Sequence, residues 1–220
     1  METLLRTETK ARLDLTGITG LVLNNAQLAD PTCEYTVKIK AITDKGVKMT
    51  PEEREQKEAL QWTGSLYLGA DGSLIFPGRN FIRAFRDVAP TFKAGADIDR
   101  GGVMITETEL PIYHDGPAAL KDSVTGLRYG PVDRKKMYDD PRFRFRTVVN
   151  GNPTKGPKGG KVVSMRPVLP VWALSLTVVV FADILGWDKF RQIVDAAGVQ
   201  GIGNARKLGY GRFSAQVTQL

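Results

Sequence analysis

The chain has 220 residues, 42% of them hydrophobic and 25% charged, which excludes the collagen-like, low-complexity and disordered classes and leaves enough apolar material for a core. A total of 31 Lys and Arg against 24 Asp and Glu gives +7 at neutral pH, a balance that points to an anionic partner but not to a fold. The single Cys33 excludes internal disulfides and Cys-cluster zinc sites, and the single His114 excludes HExxH and multi-histidine metal centres.

Met1 to Lys10 is charged and has no apolar h-region, so no secretory signal is expected. The longest apolar run, Val168 to Ala182, is interrupted by Pro170 and Ser175 and is too short to span a bilayer. These features predict a soluble cytoplasmic protein. Ala11 to Asn25 reads as strand material broken by glycines, and a loop from Ala26 to Cys33 leads to a predicted strand over Glu34–Ala41, with Tyr35, Val37 and Ile39 inward. Thr50 followed by Pro51, Glu52 and Glu53 marks a helix start, and the helix is predicted over Pro51–Leu60. A strand is expected from Gln61 to Leu68. A short strand at Leu74–Phe76 enters Pro77-Gly78 and then a helix, with Phe81, Phe85 and Val88 on one face and Arg79, Arg83 and Arg86 on the other.

Gly95–Thr106 and Glu109–Tyr113 are further strand candidates. Val171–Phe181 is a β-branched strand, Trp187–Ala197 a helix ending at Gly198, and Tyr210–Val217 a last strand. Trp62, Trp172 and Trp187 fall inside these patterns and are assigned to the core. There is no internal repeat. Strands with interspersed helices and no regular βα alternation favour an α+β fold.

The charge is unevenly placed. Arg134 to Arg166 contains ten basic residues and two acidic ones, so it carries +8, and the other 187 residues sum to −1. Within it, Arg142-Phe-Arg-Phe-Arg-Thr-Val-Val149 alternates with the period of a strand. Arg142, Arg144 and Arg146 would line one face; Phe143 and Phe145 would line the other, either buried or open for base stacking. The turn-rich run from Asn150 to Gly160 and the returning strand Lys161–Arg166 complete a basic hairpin with Lys155, Lys158 and Lys161 at and beside its tip. Two readings fit. In one the hairpin tracks phosphates; in the other its charges keep a solvated edge strand from aggregating.

Gly201-Ile-Gly-Asn-Ala-Arg-Lys-Leu-Gly-Tyr-Gly211 has the form G-x-G-x5-G-x-G between a helix and the final strand. That order is the reverse of a Rossmann turn, and no G-K-[ST] ends it as in a Walker A loop. Its glycines permit positive φ and close backbone approach, while Asn204, Arg206, Lys207 and Arg212 offer donors.

This loop resembles the C-terminal glycine-rich loop of the RAMP superfamily of CRISPR-associated proteins. Ile75-Phe-Pro-Gly-Arg-Asn-Phe-Ile-Arg-Ala-Phe-Arg86 is similar to an element of the RAMP backbone subunits that polymerise along guide RNA. The runs Met165–Trp172 and Ala197–Phe213 also resemble stand-alone RAMP-like proteins of bacteriophage genomes. The resemblance covers roughly residues 62–90 and 165–213, and matches the middle of the chain only as the position of a basic hairpin. It implies one domain over 1–220, with a ferredoxin-like (RRM-type) core, a basic hairpin (thumb) inserted over 134–166 and the glycine loop over 201–211. By the same resemblance, Gly78, Arg79, Arg83 and Arg86 would lie beside the nucleic-acid groove, with Gly201, Gly203, Asn204, Arg206, Lys207, Gly209 and Gly211 in the loop.

Two departures bear on catalysis. RAMP processing endoribonucleases place a histidine near the chain start, whereas His114 is mid-chain. Target-cleaving backbone subunits use an aspartate in an N-terminal loop, a position Asp30 or Asp44 could fill without any distinguishing local pattern. The expectation is therefore a non-catalytic binder of RNA or single-stranded DNA, without cofactor or metal, that oligomerises along the strand with little sequence preference. Rival readings are a RAMP-type endoribonuclease and a viral mimic that binds a host defence complex.

Overall fold

Alternating apolar and polar side chains make strand β1 (Glu8–Gly17), which buries Ala11, Leu13 and Leu15 and turns Arg12, Asp14 and Thr16 to its other face. The structure, a computed structural model, describes residues 7–44, 48–114, 128–150 and 161–220. A short strand β2 (Leu21–Val22) follows. The strand expected over Glu34–Ala41 is instead a helix, α1 (Glu34–Thr43). Tyr35, Ile39 and Ile42 satisfy the helical period as well as Tyr35, Val37 and Ile39 satisfy the strand period, and the helix leaves Val37 51% exposed. An ion pair between Glu34 and Lys38, one turn apart, adds local support.

Helix α2 (Pro51–Gly64) starts as its sequence signals, with Thr50 and Glu53 in a reciprocal capping box. It then continues through residues assigned to a strand. Trp62 explains why: its ring is fully buried on the inner face, and its Nε1 donates to the Phe143 carbonyl at 2.7 Å. At Gly64 a Cβ would stand 2.6 Å from Leu28 Cδ2 and 3.1 Å from Tyr35 Cβ, so a larger residue would have to push these side chains aside.

Strand β3 (Ile75–Pro77) leads into α3 (Arg79–Val88), which buries Phe81, Ala84, Phe85 and Val88. Part of the strand expected over Gly95–Thr106 is a helical turn, α4 (Gly95–Asp99), before strand β4 (Val103–Ile105). Then come β5 (Glu109–Pro111), α5 (Arg134–Asp139), β6 (Arg144–Asn150), β7 (Lys161–Leu169) and β8 (Ala173–Phe181). Helix α6 (Trp187–Gln200) runs past Gly198, where the sequence predicted its end; a Cβ there would lie 2.5 Å from the Phe213 carbonyl oxygen. Trp187, assigned to the core, is only half-buried, whereas Trp172 is fully enclosed. Strand β9 (Phe213–Gln219) closes the order. Among the described residues no helix is long and apolar enough to cross a membrane.

The chain divides into two units: Met1–Leu21, Leu68–Val132 and Pro170–Leu220 in the first, Val22–Tyr67 and Asp133–Leu169 in the second. The first holds a four-stranded sheet in the order β4-β8-β1-β9, every neighbouring pair antiparallel. With α3 between β1 and β4, and α6 between β8 and β9, this is the ferredoxin-like β-α-β-β-α-β topology. Register places Leu13 opposite both Leu176 and Val217, so the apolar faces of three strands coincide. Both helices cover that face through an aromatic seam. Phe81 meets Phe76, Phe85 and Phe213 at centroid distances of 5.5, 6.3 and 6.4 Å, and Phe85 meets Phe190 at 5.9 Å.

The second unit is built from two insertions, one between β1 and α3 and one between β4 and β8. Its sheet runs β2-β7-β6, and β6 and β7 form the hairpin predicted from the alternation. Arg142 and Phe143, however, lie in a 3₁₀ turn (Pro141–Phe143) before the strand, because Asp140 accepts from the Arg142 amide and caps that turn.

Truncating the centre of the seam tests this account of the core. Phe81→Ala is expected to cost about 3–5 kcal/mol in chemical denaturation, as for other buried Phe→Ala changes. A loss below about 1 kcal/mol would show that the seam is not what joins the helices to the sheet.

Candidate nucleic-acid interface

In the first unit, burial of Phe81 and Phe85 fixes the rotation of α3 and leaves Arg79, Arg83 and Arg86 exposed. Arg86 is paired with Asp99 at 2.6 Å. Arg79 and Arg83 form no ion pair with any described residue. The Pro77-Gly78 step before them is explained by packing: a Cβ on Gly78 would lie 2.1 Å from the Glu107 carbonyl oxygen, and the Gly78 amide donates to Thr108 O at 3.0 Å. The glycine thus lets the neighbouring chain come close and sets the direction in which the arginine helix leaves the strand.

The glycine loop lies beside this helix, joined to it by an ion pair of 2.9 Å between Arg206 and Asp87. Gly201, Gly203, Gly209 and Gly211 all have positive φ, and so does Ala205. The loop is closed on itself, with the Ile202 amide donating to Gly211 O at 2.9 Å, and a Cβ on Gly211 would stand 1.9 Å from Ile202 O. It is also tied to the turn after β1: Gly211 N donates to Gly20 O, Thr19 Oγ1 donates to Gly209 O, and Trp172 Nε1 donates to Thr19 O. The amides of Gly201, Ile202, Leu208, Gly209 and Gly211 are all engaged inside the protein. What the loop presents outward is Gly203, Lys207 and the apolar Leu208, with Asn204 and Arg206 half-exposed.

On the sheet face away from the helices, register places Arg12, Asp14, Thr16, Ser175, Thr177, Ser214, Gln216 and Thr218, and the one aromatic ring among these four strands on that face is half-buried Phe181 at the end of β8. Arg12 is held by Asp14 at 2.8 Å and by Ser175 at 3.1 Å. Arg79, Arg83 and Lys207 are exposed on α3 and the loop, which the Arg206–Asp87 pair ties together.

In the second unit the hairpin arginines have different surroundings. Arg142 bonds the Asp140 carboxylate, with contacts down to 2.6 Å. Arg146 makes a forked contact with Glu58 at 3.0–3.2 Å, and that carboxylate raises the guanidinium's pKa above its usual value. Arg144 has no carboxylate at ion-pair distance among the described residues, and its guanidinium lies 5.4 Å over the Tyr138 ring. Burial of Arg166 lowers its pKa, and its Nη1 donates to the Met165 carbonyl. Phe143 and Phe145 are half-buried. Lys161 opens β7; Lys155 and Lys158 lie outside the described residues.

The structure brings Arg54, Glu58 and Tyr138 to the arginines, a grouping the sequence hid. Arg54 and Glu58 stand one turn apart on α2, a spacing visible in the sequence, but nothing local joins them to a strand some 90 positions later. The second unit holds 16 basic and ten acidic residues, a net +6, and the first unit only +1.

The residues considered for catalysis stand apart. His114 packs edge-on against Tyr129 at 5.2 Å. Asp30 holds its own turn by accepting from Thr32 N and Oγ1, which lowers its pKa. Asp44 ends α1. No group of three or more His, Cys, Asp or Glu placed to hold a metal is found among the described residues.

No protein-family model matches the sequence, and no curated protein matches it. Among solved structures the chain is similar to one in the cryo-EM structure of the type III-B Cmr-beta bound to cognate target RNA, with a TM-score of 0.46 and 12% identity. The match covers 98% of this chain and 62% of the other, so the protein spans less than two thirds of that chain's length.

Substitutions separate the loop's structural part from its cationic rim. Gly211→Ala meets both a positive φ and a backbone oxygen, and is expected to lose about 1–3 kcal/mol or more in a denaturation curve. The double change Arg79→Ala, Arg83→Ala alters only solvated side chains, and the curve should shift by no more than about 0.5 kcal/mol.

Proposed function

We propose that the protein binds single-stranded nucleic acid through phosphate contacts, without catalysing a reaction on it, and assembles side by side along the strand. The observation that carries this reading is the segregation of charge: +6 of the net +7 lies in the second unit, around one hairpin. A solvated edge strand needs a few scattered charges and gains nothing from so one-sided an excess, whereas a polyanion releases counterions to each one. Arg79, Arg83 and Lys207, exposed beside the glycine loop, give the first unit a second phosphate-binding surface. The likeness of the Pro77–Arg86 and Gly201–Gly211 segments to RAMP elements supports the same reading. Backbone-directed contacts imply slight sequence preference, and either RNA or single-stranded DNA meets the requirement.

Side-by-side assembly is supported by β9. It is the outer strand of its sheet, and Phe-Ser-Ala-Gln-Val-Thr-Gln219 contains no charge and no proline. Such an edge lacks the usual protection against pairing, and a second copy of the chain is the occupant we assign to it.

Gel shifts with a 30-nucleotide strand over a salt series test the reading. Neutralising about four phosphates gives a slope near −3 in log K against log salt; a flat response would overturn the phosphate account. Arg144→Ala should weaken binding more than Arg142→Ala or Arg146→Ala, since the latter two guanidinium groups are already held by carboxylates. Images of the protein on long single strands should show contiguous arrays, and isolated particles would exclude assembly.

A further inference from the structure

Inside the second unit, a cleft of about 550 Å³ opens between the first turns of α2, helix α5 and the strand β6. The cleft is open to solvent on one side, and its volume far exceeds what a bare phosphate fills. Pro51, Pro141 and buried Met165 give it apolar surface. Arg54 and Arg144 supply two cations that no described carboxylate engages in an ion pair, while Arg146 is taken up by Glu58. Tyr138, also in the lining, is wedged edge-on against Trp62 at 5.6 Å and carries the Arg144 guanidinium over its face. That cation–π contact keeps the Arg144 guanidinium at the cleft wall, where its charge faces an incoming anionic group.

We propose that this cleft is a binding site for one nucleotide, with the base against the Pro51 and Pro141 surface beside Tyr138, and the phosphate on Arg54 and Arg144. An inorganic anion would leave the apolar surface unused. A neutral aromatic would leave two guanidinium groups without a counter-charge. An acidic peptide would meet the carboxylates of Glu55 and Glu58, whereas a base presents N–H donors to such groups. The nucleotide can come from a bound strand or from solution, since the chemistry is shared. The strand source rests on the function proposed above, and the cleft itself does not.

Two experiments on the full chain separate the sources. A 12-nucleotide strand carrying one 4-thiouridine is crosslinked by near-ultraviolet light and the adducts are mapped by mass spectrometry; AMP and UMP are titrated separately by calorimetry. Adducts on peptides containing Tyr138 or Met165, reduced at least fivefold in Arg54→Ala with an unchanged melting curve, support a strand nucleotide in the cleft. Absence of strand binding together with mononucleotide binding lost in Arg54→Ala supports the cleft and overturns the strand reading. Strand binding with adducts confined to the Arg79–Arg86 or Gly201–Gly211 peptides, and no mononucleotide heat, overturns the cleft while leaving the strand reading intact. The Arg54 side chain is exposed at the rim of α2 and its removal is not expected to affect folding, which keeps the comparison interpretable.

Discussion

Burial of Phe81 against Phe76, Phe85 and Phe213 is the interaction on which the first unit depends. Each buried ring contributes roughly 1.5–3 kcal/mol, and each edge or tilted ring pair adds about 0.5–1.5 kcal/mol. More consequential is the geometry. Phe81 and Phe85 are four positions apart on a helix with 3.6 residues per turn, so seating both rings leaves α3 no rotational freedom. Arg79 and Arg83, two positions before each ring, are carried to the solvent side as a result. The cationic rim is thus set by the apolar seam, and the arginines contribute nothing to holding themselves in place.

The glycine loop obeys a related constraint. Its regular spacing invites a reading as a ligand cradle, because positive-φ glycines turn amides outward in many anion sites. Here the amides of Gly201, Gly209 and Gly211 are spent on Ala197, Arg206 and Gly20 carbonyls, and the missing side chain at Gly211 accommodates Ile202 O. The glycines let three backbone segments meet at one corner beside Trp172. What that corner achieves is placement: Arg206 reaches Asp87 on α3, which ties the loop carrying Lys207 to the arginine helix.

Much of this was legible in local pattern. The period-2 alternation of β1 and β8, the Thr50–Glu53 capping box, the arginine stripe on α3 and the β6–β7 hairpin all follow from neighbours within a few positions. The failures share a cause. Residues 34–43 fit a strand and a helix equally well, and residues 61–64 read as a strand because Trp and Thr favour sheets. In both places tertiary contacts decided: Trp62 found the Phe143 carbonyl, and Gly64 admitted Leu28 and Tyr35. The second unit could be read only in its parts, the capped helix and the hairpin, and not as a unit, since two insertions separated by 65 residues combine to form it. The same separation hid the pairing of Arg146 with Glu58.

That pairing changes what the charge excess means. Counting +8 between Arg134 and Arg166 treats every cation as available, but Asp140 and Glu58 already hold Arg142 and Arg146. A phosphate can recruit those guanidinium groups only by sharing or displacing a carboxylate, so their gain is the difference between two similar charge-assisted contacts. Arg144 faces no such competition, and its contact with Tyr138 is a cation–π one with a neutral ring. On the proposed function, the cations without a carboxylate partner would therefore govern affinity, because each arginine–carboxylate pair is neutral overall and adds little to the long-range potential.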